Sequence, residues 1–274
     1  MSQNIDYKFV LQSQGFEFKK GLGQNFVFDT NLLNAIATDA DIQSSDTVVE
    51  IGVGAGSLTN IIADRASRVV GFEIDKRLQA VHKLTIQRDS VEVKYKDFLQ
   101  LNDNDIVSFG VYKVVANLPY YITTPIIFKL LESNNPPKSI TIMVQKEVAN
   151  RIVAKPNTPD YGVLTASVAL RCQATITRKV SRAAFVPQPN VDSAIVRLDK
   201  LHCSNLNATN ITKLIQAAFG NRRKMLVNNL VSNYSISKQK AQQALIQLGL
   251  PITIRGEALS VQQFVDLYNI ISNI

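Results

Sequence analysis

Five short apolar runs, rich in β-branched residues, alternate with amphipathic segments from about residue 47 onward. The runs are TVVEI (47–51), RVVGFEI (68–74), VEVKY (91–95), YKVVAN (112–117) and SITIMV (139–144). Apolar positions recur at helical spacing between several of them, as in SLTNIIADRA (57–66). Near-continuous apolar strands that alternate with helices are typical of a parallel sheet covered on both faces. The pattern therefore predicts a doubly wound α/β sheet, one edge of which is extended by ATITRKV (174–180) and SAIVRL (193–198).

The strand pattern stops after residue 200, and helical patterns take over. They are TKLIQAAF (212–219), RKMLVNNLV (223–231), SKQKAQQALIQLG (237–249) and SVQQFVDLYNII (260–271). Ser237 and Ser260 are expected N-caps, and Gly249 followed by Pro251 is an expected helix stop. We predict an α/β domain over residues 1–203, with 1–18 as an N-terminal extension, and a small all-helical domain over residues 204–274.

The charge is unevenly distributed along the 274 residues. The chain has 30 Lys and Arg against 22 Asp and Glu, a formal net charge of +8. From Lys200 onward there are eight basic and two acidic residues, so most of the excess lies in the last quarter of the chain. This asymmetry favours a polyanionic partner, RNA or DNA before an anionic membrane, over a basic face that is merely solvated.

Cysteine and histidine are scarce. Cys172, Cys203, His82 and His202 are the only residues of these types, and none is at metal-ligand spacing. A metal site, a disulfide scaffold and a histidine general base are therefore disfavoured. The N-terminus has no apolar signal region and no run of eighteen uncharged apolar residues occurs, so we expect a soluble, cytoplasmic protein without a membrane partner.

Three glycines lie between the first strand and the following helix, at positions 52, 54 and 56. Such a turn lets the backbone approach a ligand closely, although a tight turn without a ligand has the same pattern. Glu73 ends the next strand, where an acid accepts both hydroxyls of a ribose. Asp97 follows the third strand and is expected to accept from an adenine amino group, or to cap a helix. Ser57 replaces the third glycine of the dinucleotide fingerprint, so the pattern favours a nucleoside ligand other than NAD.

The fourth strand ends on Asn-Leu-Pro-Tyr, residues 117–120. In open α/β sheets ligands bind at the carboxyl ends of the strands, which puts this tetrapeptide beside the glycine turn. The Asn117 side-chain oxygen and a backbone carbonyl of the rigid Leu118-Pro119 unit can accept both hydrogens of an adenine amino group and so direct its lone pair at an electrophile. Tyr120 offers a face on which a base stacks. The alternative is a proline that ends a strand and a tyrosine that fills space.

Seven ordered motifs together resemble the ribosomal RNA adenine dimethyltransferases, and most closely the bacterial small-subunit group. They are KKGLGQNF (19–26), EIGVGAG (50–56), GFEID (71–75), NLPYYITTP (117–125), VQKEVANRI (144–152), FVPQPNVDSAIVRL (185–198) and AFGNRRKMLVNNL (218–230). The resemblance covers nearly the whole chain from about residue 19. It implies a Rossmann-like class I methyltransferase sheet and S-adenosylmethionine as the methyl donor. It also implies a role in ribosome biogenesis, with a monomer dimethylating N6 of two adjacent adenosines in the 3′-terminal hairpin of 16S rRNA, in the small subunit or its precursor.

The resemblance also implies roles for individual residues. Asn25 and Val27, the latter a leucine in most of the family, are expected at the methionine side of the donor. Gly52 is expected at the amino-acid portion, Glu73 at the ribose, Asp97 at the adenine and Asn117 against both donor and target. Phe185 resembles an aromatic residue that stacks on the target adenine opposite Tyr120, although a core phenylalanine before a proline-rich loop gives the same pattern. RNA-facing positions are Lys146, Arg151, Lys155, Arg222, Arg223 and Lys224.

Three other functions remain open from the sequence. The large-subunit rRNA methyltransferases that confer macrolide resistance share the fold and most motifs. A ribosome-assembly checkpoint factor with little turnover would need the RNA-binding residues alone, against which the intact Asn117, Tyr120 and Glu73 argue. A dehydrogenase is disfavoured by Ser57 and by the lack of a histidine suited to hydride transfer.

Overall fold

The computed structural model describes residues 5–201 and 207–273. Contacts divide the chain into two compact units. The first comprises Met1–Ala149 and Thr175–Lys200, and the second comprises Asn150–Ala174 and Leu201–Ile274. The predicted junction between residues 203 and 204 lies outside the described residues.

The first unit is built on a seven-stranded sheet with the strand order β4-β3-β2-β5-β6-β9-β7. The pairs from β4 to β6 are parallel, and β9 is antiparallel to β6. The predicted sheet and its extended edge are therefore confirmed. The strands are β2 (Thr47–Ile51), β3 (Arg68–Phe72), β4 (Val91–Lys94), β5 (Tyr112–Asn117), β6 (Ser139–Gln145), β7 (Cys172–Val180) and β9 (Ser193–Lys200). A separate pair joins β1 (Phe26–Val27) to β8 (Phe185–Val186).

Helices cover both faces of this sheet. Val48 and Val69 share a buried cluster with Leu33, Leu58 and other residues of two helices on one face. On the opposite face Phe72 packs edge-on against Phe98, with ring centroids 5.3 Å apart. The helices are α1 (Tyr7–Ser13), α2 (Thr30–Asp39), α3 (Ser57–Ala63), α4 (Gln79–Thr85), α5 (Asp103–Val107), α6 (Thr123–Glu132) and α7 (Lys146–Ile152), the last of which crosses into the second unit. Alternate residues of each strand supply the two apolar faces, as the β-period requires.

The second unit is helical and has its own core. Its helices are α8 (Val163–Ala169), α9 (Ala208–Ala218), α10 (Leu226–Asn233), α11 (Lys238–Gln247) and α12 (Val261–Asn273). The predicted caps are confirmed, because Ser237 Oγ accepts from the Lys240 N–H, Ser260 Oγ accepts from the Gln263 N–H, and Gly249 has φ +68°. Residues 150–174, which the sequence analysis assigned to the first domain, belong here because Tyr161, Ala166 and Leu170 pack in this core.

No helix in residues 5–201 and 207–273 is both long and apolar enough to span a bilayer. The same residues contain no group of three or more His, Cys, Asp or Glu placed to hold a metal ion.

Candidate active site at the carboxyl ends of the strands

A cavity opens in the first unit where β2, β3 and β5 end. The strand order reverses between β2 and β5, because β3 continues on one side of β2 and β5 lies on the other, and such a reversal is where open α/β sheets bind ligands. Eight residues predicted from the sequence line this cavity: Asn25, Val27, Gly52, Glu73, Asp97, Asn117, Leu118 and Tyr120. The fold thus collects at one place residues that are up to 95 positions apart in the chain.

The glycine turn runs from the end of β2 into α3. Gly52 has φ +84°, its N–H donates to the Phe72 carbonyl at 2.8 Å, and an added Cβ would lie 3.4 Å from the Asn117 carbonyl oxygen. Gly56 has φ +85°, and its Cβ would meet Ile86 at 2.8 Å. Side chains at either position are therefore disfavoured by conformation, and at Gly56 also by space. Ser57, the residue that departs from the dinucleotide fingerprint, donates its hydroxyl to the Val27 carbonyl at 2.8 Å.

Glu73 lies just past β3 with its carboxylate held by the backbone. Oε2 accepts from the Gly54 N–H and Oε1 from the Asp75 N–H, both at 2.9 Å. The side chain is only 7% exposed, and burial raises its pKa against the opposing effect of these two hydrogen bonds. Each carboxylate oxygen has two acceptor directions, and these two hydrogen bonds use one on each.

Asp97 stands at the start of a short 3₁₀ turn, Phe98–Gln100, and caps it. Its Oδ1 accepts from the Leu99 N–H at 2.9 Å. Oδ2 accepts no hydrogen bond from the residues that the structure describes, and the side chain lines the cavity. The two expectations for this residue are thus compatible, because one oxygen caps the turn and the other is available to a ligand.

Glu50 also lines the cavity, and the sequence analysis overlooked it. It lies in the middle of β2, its side chain is 0% exposed, and neither carboxylate oxygen has a hydrogen-bond partner among the described residues. Burial raises its pKa to about 8, opposed by the nearby Thr59 hydroxyl and reinforced by the charge of Glu73. A charged residue inside an otherwise apolar central strand was the signal that could have identified it, since buried unpaired carboxylates are rare in proteins.

Asn117 is oriented by the loop that precedes β1. Its Nδ2 donates to the Asn25 backbone carbonyl at 2.9 Å. Because a carbonyl only accepts, this contact fixes the amide with nitrogen toward Asn25 and leaves Oδ1, which has no partner within the described residues, as the acceptor. Asn25 in turn donates its own Nδ2 to the Gly23 carbonyl at 3.2 Å.

Tyr120 and Leu118 complete the tetrapeptide. The Tyr120 hydroxyl is 2.8 Å from Ser193 Oγ, a contact that holds a half-buried ring. Burial raises the pKa of this hydroxyl, and the hydrogen bond to Ser193 opposes that shift. Leu118 is buried, and its N–H donates to the Met143 carbonyl at 3.3 Å. The backbone of the tetrapeptide is thereby tied to the end of β6.

Phe185 differs from expectation. Its ring is 3% exposed and belongs to the same buried cluster as Val27 and Ile195, and it is not among the residues that line the cavity. The residue sits in β8, whose pairing with β1 holds it in the core. In this structure Phe185 offers no open face to a base, so a stacking role requires a rearrangement.

Tyr121 is a second aromatic residue that the sequence analysis did not select. It lines the cavity and is 56% exposed. His82, in contrast, is buried beneath the glycine turn, where its ring nitrogens contact the Gly54 carbonyl at 2.7 Å and the Tyr95 hydroxyl at 2.6 Å. Burial lowers the pKa of His82, so at neutral pH it is an uncharged structural residue.

None of the predicted RNA-facing residues is among those that line this cavity. All six are exposed: Lys146, Arg151, Lys155, Arg222, Arg223 and Lys224. In the second unit Arg222 donates to the carbonyls of Pro159 at 2.9 Å and Tyr161 at 3.2 Å, and pairs with Glu257 at 3.4 Å. The side chains of Arg223 and Lys224 make no hydrogen bond or ion pair with described residues.

Sequence comparison identifies a family over almost the whole chain. The model of the ribosomal RNA adenine dimethylase family matches residues 15–273. The chain is 43% identical to the ribosomal RNA small subunit methyltransferase A of Bacillus mycoides, a match that covers 96% of the chain and 94% of that protein. The Bacillus cereus protein of the same name is 42% identical with the same coverage.

Two solved structures share both the fold and part of the sequence. A dimethyladenosine transferase from Plasmodium falciparum superposes with a TM-score of 0.76 and 30% identity, over 88% of this chain and 95% of the other. The 23S rRNA methyltransferase ErmE superposes with a TM-score of 0.69 and 26% identity, over 90% of this chain and 100% of the other.

Proposed function

The chain belongs to the ribosomal RNA adenine dimethylase family, and on this basis we propose that it uses S-adenosylmethionine to dimethylate N6 of adenosines in small-subunit rRNA. The targets are two adjacent adenosines in the 3′-terminal hairpin loop of 16S rRNA. The observation that carries the proposal is the pairing of an oriented acceptor, Asn117 Oδ1, with a carboxylate-rich cavity at the same strand ends.

Small-subunit rRNA is favoured over large-subunit rRNA by the degree of similarity. The relatives named for the small subunit are 42% and 43% identical to this chain, whereas the 23S rRNA enzyme is 26% identical. The fold is common to both groups and does not discriminate between them.

The cavity residues fit S-adenosylmethionine. Glu73 and Asp97 keep free acceptor positions, which suit ribose hydroxyls and an adenine amino group respectively. Gly52 leaves room beside the Asn117 carbonyl that a Cβ would fill, which suits the amino-acid portion near Asn25 and Val27. The buried side chain of Glu50 has no cationic partner among the residues that the structure describes, and the donor carries an ammonium group as well as a sulfonium. We assign Glu50 to the end of the donor that carries these two cationic groups.

When bound, S-adenosylmethionine supplies an electrophilic methyl group on a positively charged sulfur. The protein has to hold the adenine amino nitrogen in line with that methyl group, and positioning of this kind supplies most of the catalysis. In the first methylation Asn117 Oδ1 and the Leu118 carbonyl accept the two amino hydrogens, which draws the nitrogen lone pair out of conjugation with the ring. In the second methylation one of these acceptors binds the single remaining hydrogen, and each methylation releases one proton to solvent. Tyr120, held by Ser193, stacks on the adenine after the base has left its own stack.

The basic residues divide into two groups. Lys146, Lys155, Arg223 and Lys224 have side chains that make no ion pair with described residues and suit contacts with phosphates, as does the exposed Arg151. Arg222 differs, because its guanidinium is already committed to Pro159, Tyr161 and Glu257. We assign Arg222 to the support of the loop that presents Arg223 and Lys224.

The proposal extends to the organisation of the protein. The sheet unit carries catalysis and the basic helical unit carries RNA affinity, in a monomer that works in the cytoplasm, where the small ribosomal subunit is assembled. Light scattering of the purified chain in the presence and absence of RNA tests the monomer.

One experiment tests the reaction, the product and the substrate together. Labelled S-adenosylmethionine is offered in parallel to undermethylated small subunits, free 16S rRNA and free 23S rRNA, and the labelled nucleoside is identified after digestion. We expect N6,N6-dimethyladenosine from the small subunit at two adjacent positions. Label in 23S rRNA would instead indicate the large-subunit activity, and tight binding to the small subunit without label would indicate an assembly factor.

A further inference from the structure

The rim of the cavity presents one strongly exposed aromatic ring, and it is not the ring expected from the sequence. Phe185 is buried at 3% exposure, whereas Tyr121 is 56% exposed and lines the cavity beside Tyr120. An isolated exposed side chain needs no explanation, but this one lines the cavity in which the proposed substrate is methylated.

Tyr121 cannot share the slot of Tyr120. Residues 120–122 form a single 3₁₀ turn, in which successive side chains point about 120° apart. Tyr120 is directed to Ser193, and Tyr121 is therefore directed elsewhere. The two rings offer two separate faces to a nucleic acid that enters the cavity.

The ring of Tyr121 rests on a fixed support. Gly23 has φ +61°, and a Cβ there would lie 3.4 Å from Cδ1 and Cε1 of the ring and 3.3 Å from Cβ of Pro119. Gly23 is joined to the catalytic amide by two hydrogen bonds, from Asn25 Nδ2 to the Gly23 carbonyl and from Asn117 Nδ2 to the Asn25 carbonyl. One edge of the ring is packed against the backbone while more than half of the side chain remains open.

Two exposed lysines belong to the segments around this cavity, whose lining also includes the carboxylates of Glu50, Glu73 and Asp97. Lys96 lines the cavity and pairs with Asp105 at 3.4 Å, and Lys19 belongs to the loop whose Gln24 and Gly23 approach the rim. Aromatic faces with nearby cations are the usual platform for unpaired nucleotides, because every base has a face to stack and every nucleotide has a phosphate.

We infer that Tyr121 stacks on one of the two adjacent adenosines while the other is being methylated, and so holds the flanking nucleotide while the target occupies the Tyr120 slot. The inference rests on the proposed function, since it requires an RNA substrate. It also assigns to Tyr121 a part in substrate choice, because a target that lacks an adjacent unpaired base loses this contact.

A double-mutant cycle between protein and RNA tests the inference. Terminal-hairpin RNA is prepared intact and with an abasic site in place of either of the two adjacent adenosines, so that each abasic RNA retains one target. Dissociation constants are measured with S-adenosylhomocysteine present, which prevents methylation. The protein variants are Tyr121→Leu, Tyr121→Phe and the control Phe9→Leu, which removes an exposed ring from α1, away from the cavity lining.

On intact RNA we expect Tyr121→Leu to weaken binding about ten-fold, Tyr121→Phe to restore it, and Phe9→Leu to have no effect. With one of the abasic RNAs the penalty of Tyr121→Leu should fall below about two-fold, and that RNA identifies the stacked nucleotide. A penalty that persists on both abasic RNAs, or no penalty on intact RNA, overturns the inference.

Binding of S-adenosylhomocysteine alone, measured by calorimetry, separates this role from a lid over the donor. We expect wild type and Tyr121→Leu to bind S-adenosylhomocysteine with equal affinity. If Tyr121→Leu loses this affinity to the same extent as its affinity for RNA, the ring contacts the donor instead. Failure of the proposed function is recognised independently, because wild-type protein would then methylate neither small subunits nor any of these RNAs.

Discussion

Replacing Glu50 by glutamine removes an ionisable group from the cavity while it keeps the size and polarity of the side chain. In the folded, donor-free protein burial raises the pKa of Glu50 from the ordinary 4.5 to about 8. At pH values between these two pKa values, Glu50 is therefore protonated in the folded state and ionised in the unfolded state. Stability is greatest below the lower pKa, falls as the pH rises through this window, and stops falling above about pH 8.

The loss of unfolding free energy depends on the difference between the two pKa values of Glu50. Each pH unit inside it costs about 1.4 kcal/mol of unfolding free energy. Wild-type protein should thus lose about 3 kcal/mol between about pH 5 and about pH 7.5 through this one group. Glu50→Gln should not show this loss, and its stability relative to wild type should rise by the same amount over the same range.

Urea unfolding at a series of pH values measures the difference directly. The control is Glu132→Gln, which removes an exposed carboxylate at the end of α6. The difference in unfolding free energy between this control and wild type should vary little with pH. Parallel curves for wild type and Glu50→Gln would refute the argument, since they would mean that Glu50 titrates alike in the folded and unfolded states.

The Glu50→Gln substitution should also weaken the binding of the donor. If the Glu50 carboxylate pairs with the donor's cationic end, wild type must release the proton on binding, and Glu50→Gln has no charge to offer. We expect calorimetry to show at least a ten-fold weaker donor affinity in the variant near neutral pH. In wild type it should also show an apparent binding enthalpy that changes with the ionisation enthalpy of the buffer. A variant with wild-type affinity would remove Glu50 from the donor site.

Three further substitutions test the other assignments. Asn117→Ala should lower the methylation rate at least about 100-fold while the RNA dissociation constant changes little, because the acceptor acts on the reacting nitrogen; full activity would contradict its role. Glu73→Ala should weaken donor binding measured by calorimetry, and an unchanged affinity would refute the ribose contact. Neutralising Arg223 and Lys224 should reduce the salt dependence of RNA binding, whereas Arg222→Gln should chiefly lower the thermal stability of the helical unit. If RNA binding by wild type and the double variant depends equally on salt, Arg223 and Lys224 do not contact phosphates. If Arg222→Gln leaves the melting temperature unchanged, Arg222 does not support the loop.

The sheet could be predicted from the sequence because its central strands are buried on both faces. Continuous apolar runs then encode the strands directly, and the ligand site follows from where those strands end. The start of α10 was predicted less well. Arg223 and Lys224 favour helix by themselves, but the buried amide of Asn229 accepts from the Asn221 N–H and donates to the carbonyls of Ala218 and Asn221, which holds the preceding residues in a loop. A contact eight residues away overrides the local preference.

Residues 150–174, predicted as part of the first domain, group with the helical unit for a similar reason. The segment leads into strand β7 and includes its first residues, yet Tyr161 donates its hydroxyl to the Leu259 carbonyl at 2.7 Å, 98 positions later. Nothing in the local pattern of this segment indicates such a partner, because its apolar residues suit either core equally well.

Residue type and position at a strand end were enough to select Asn117, but not to say which atom of its amide faces the substrate. That is decided by the Asn25 carbonyl, 92 positions earlier, which takes the nitrogen and leaves the oxygen. The same limit explains why Phe185 was expected at the cavity and Tyr121 was not. A phenylalanine in β8 and a tyrosine in a 3₁₀ turn are equally able to stack on a base. Pairing of β8 with β1 buries Phe185, and the left-handed Gly23 backbone supports Tyr121 at the rim. Long-range backbone contacts therefore determine which of the chemically suitable side chains can reach the substrate.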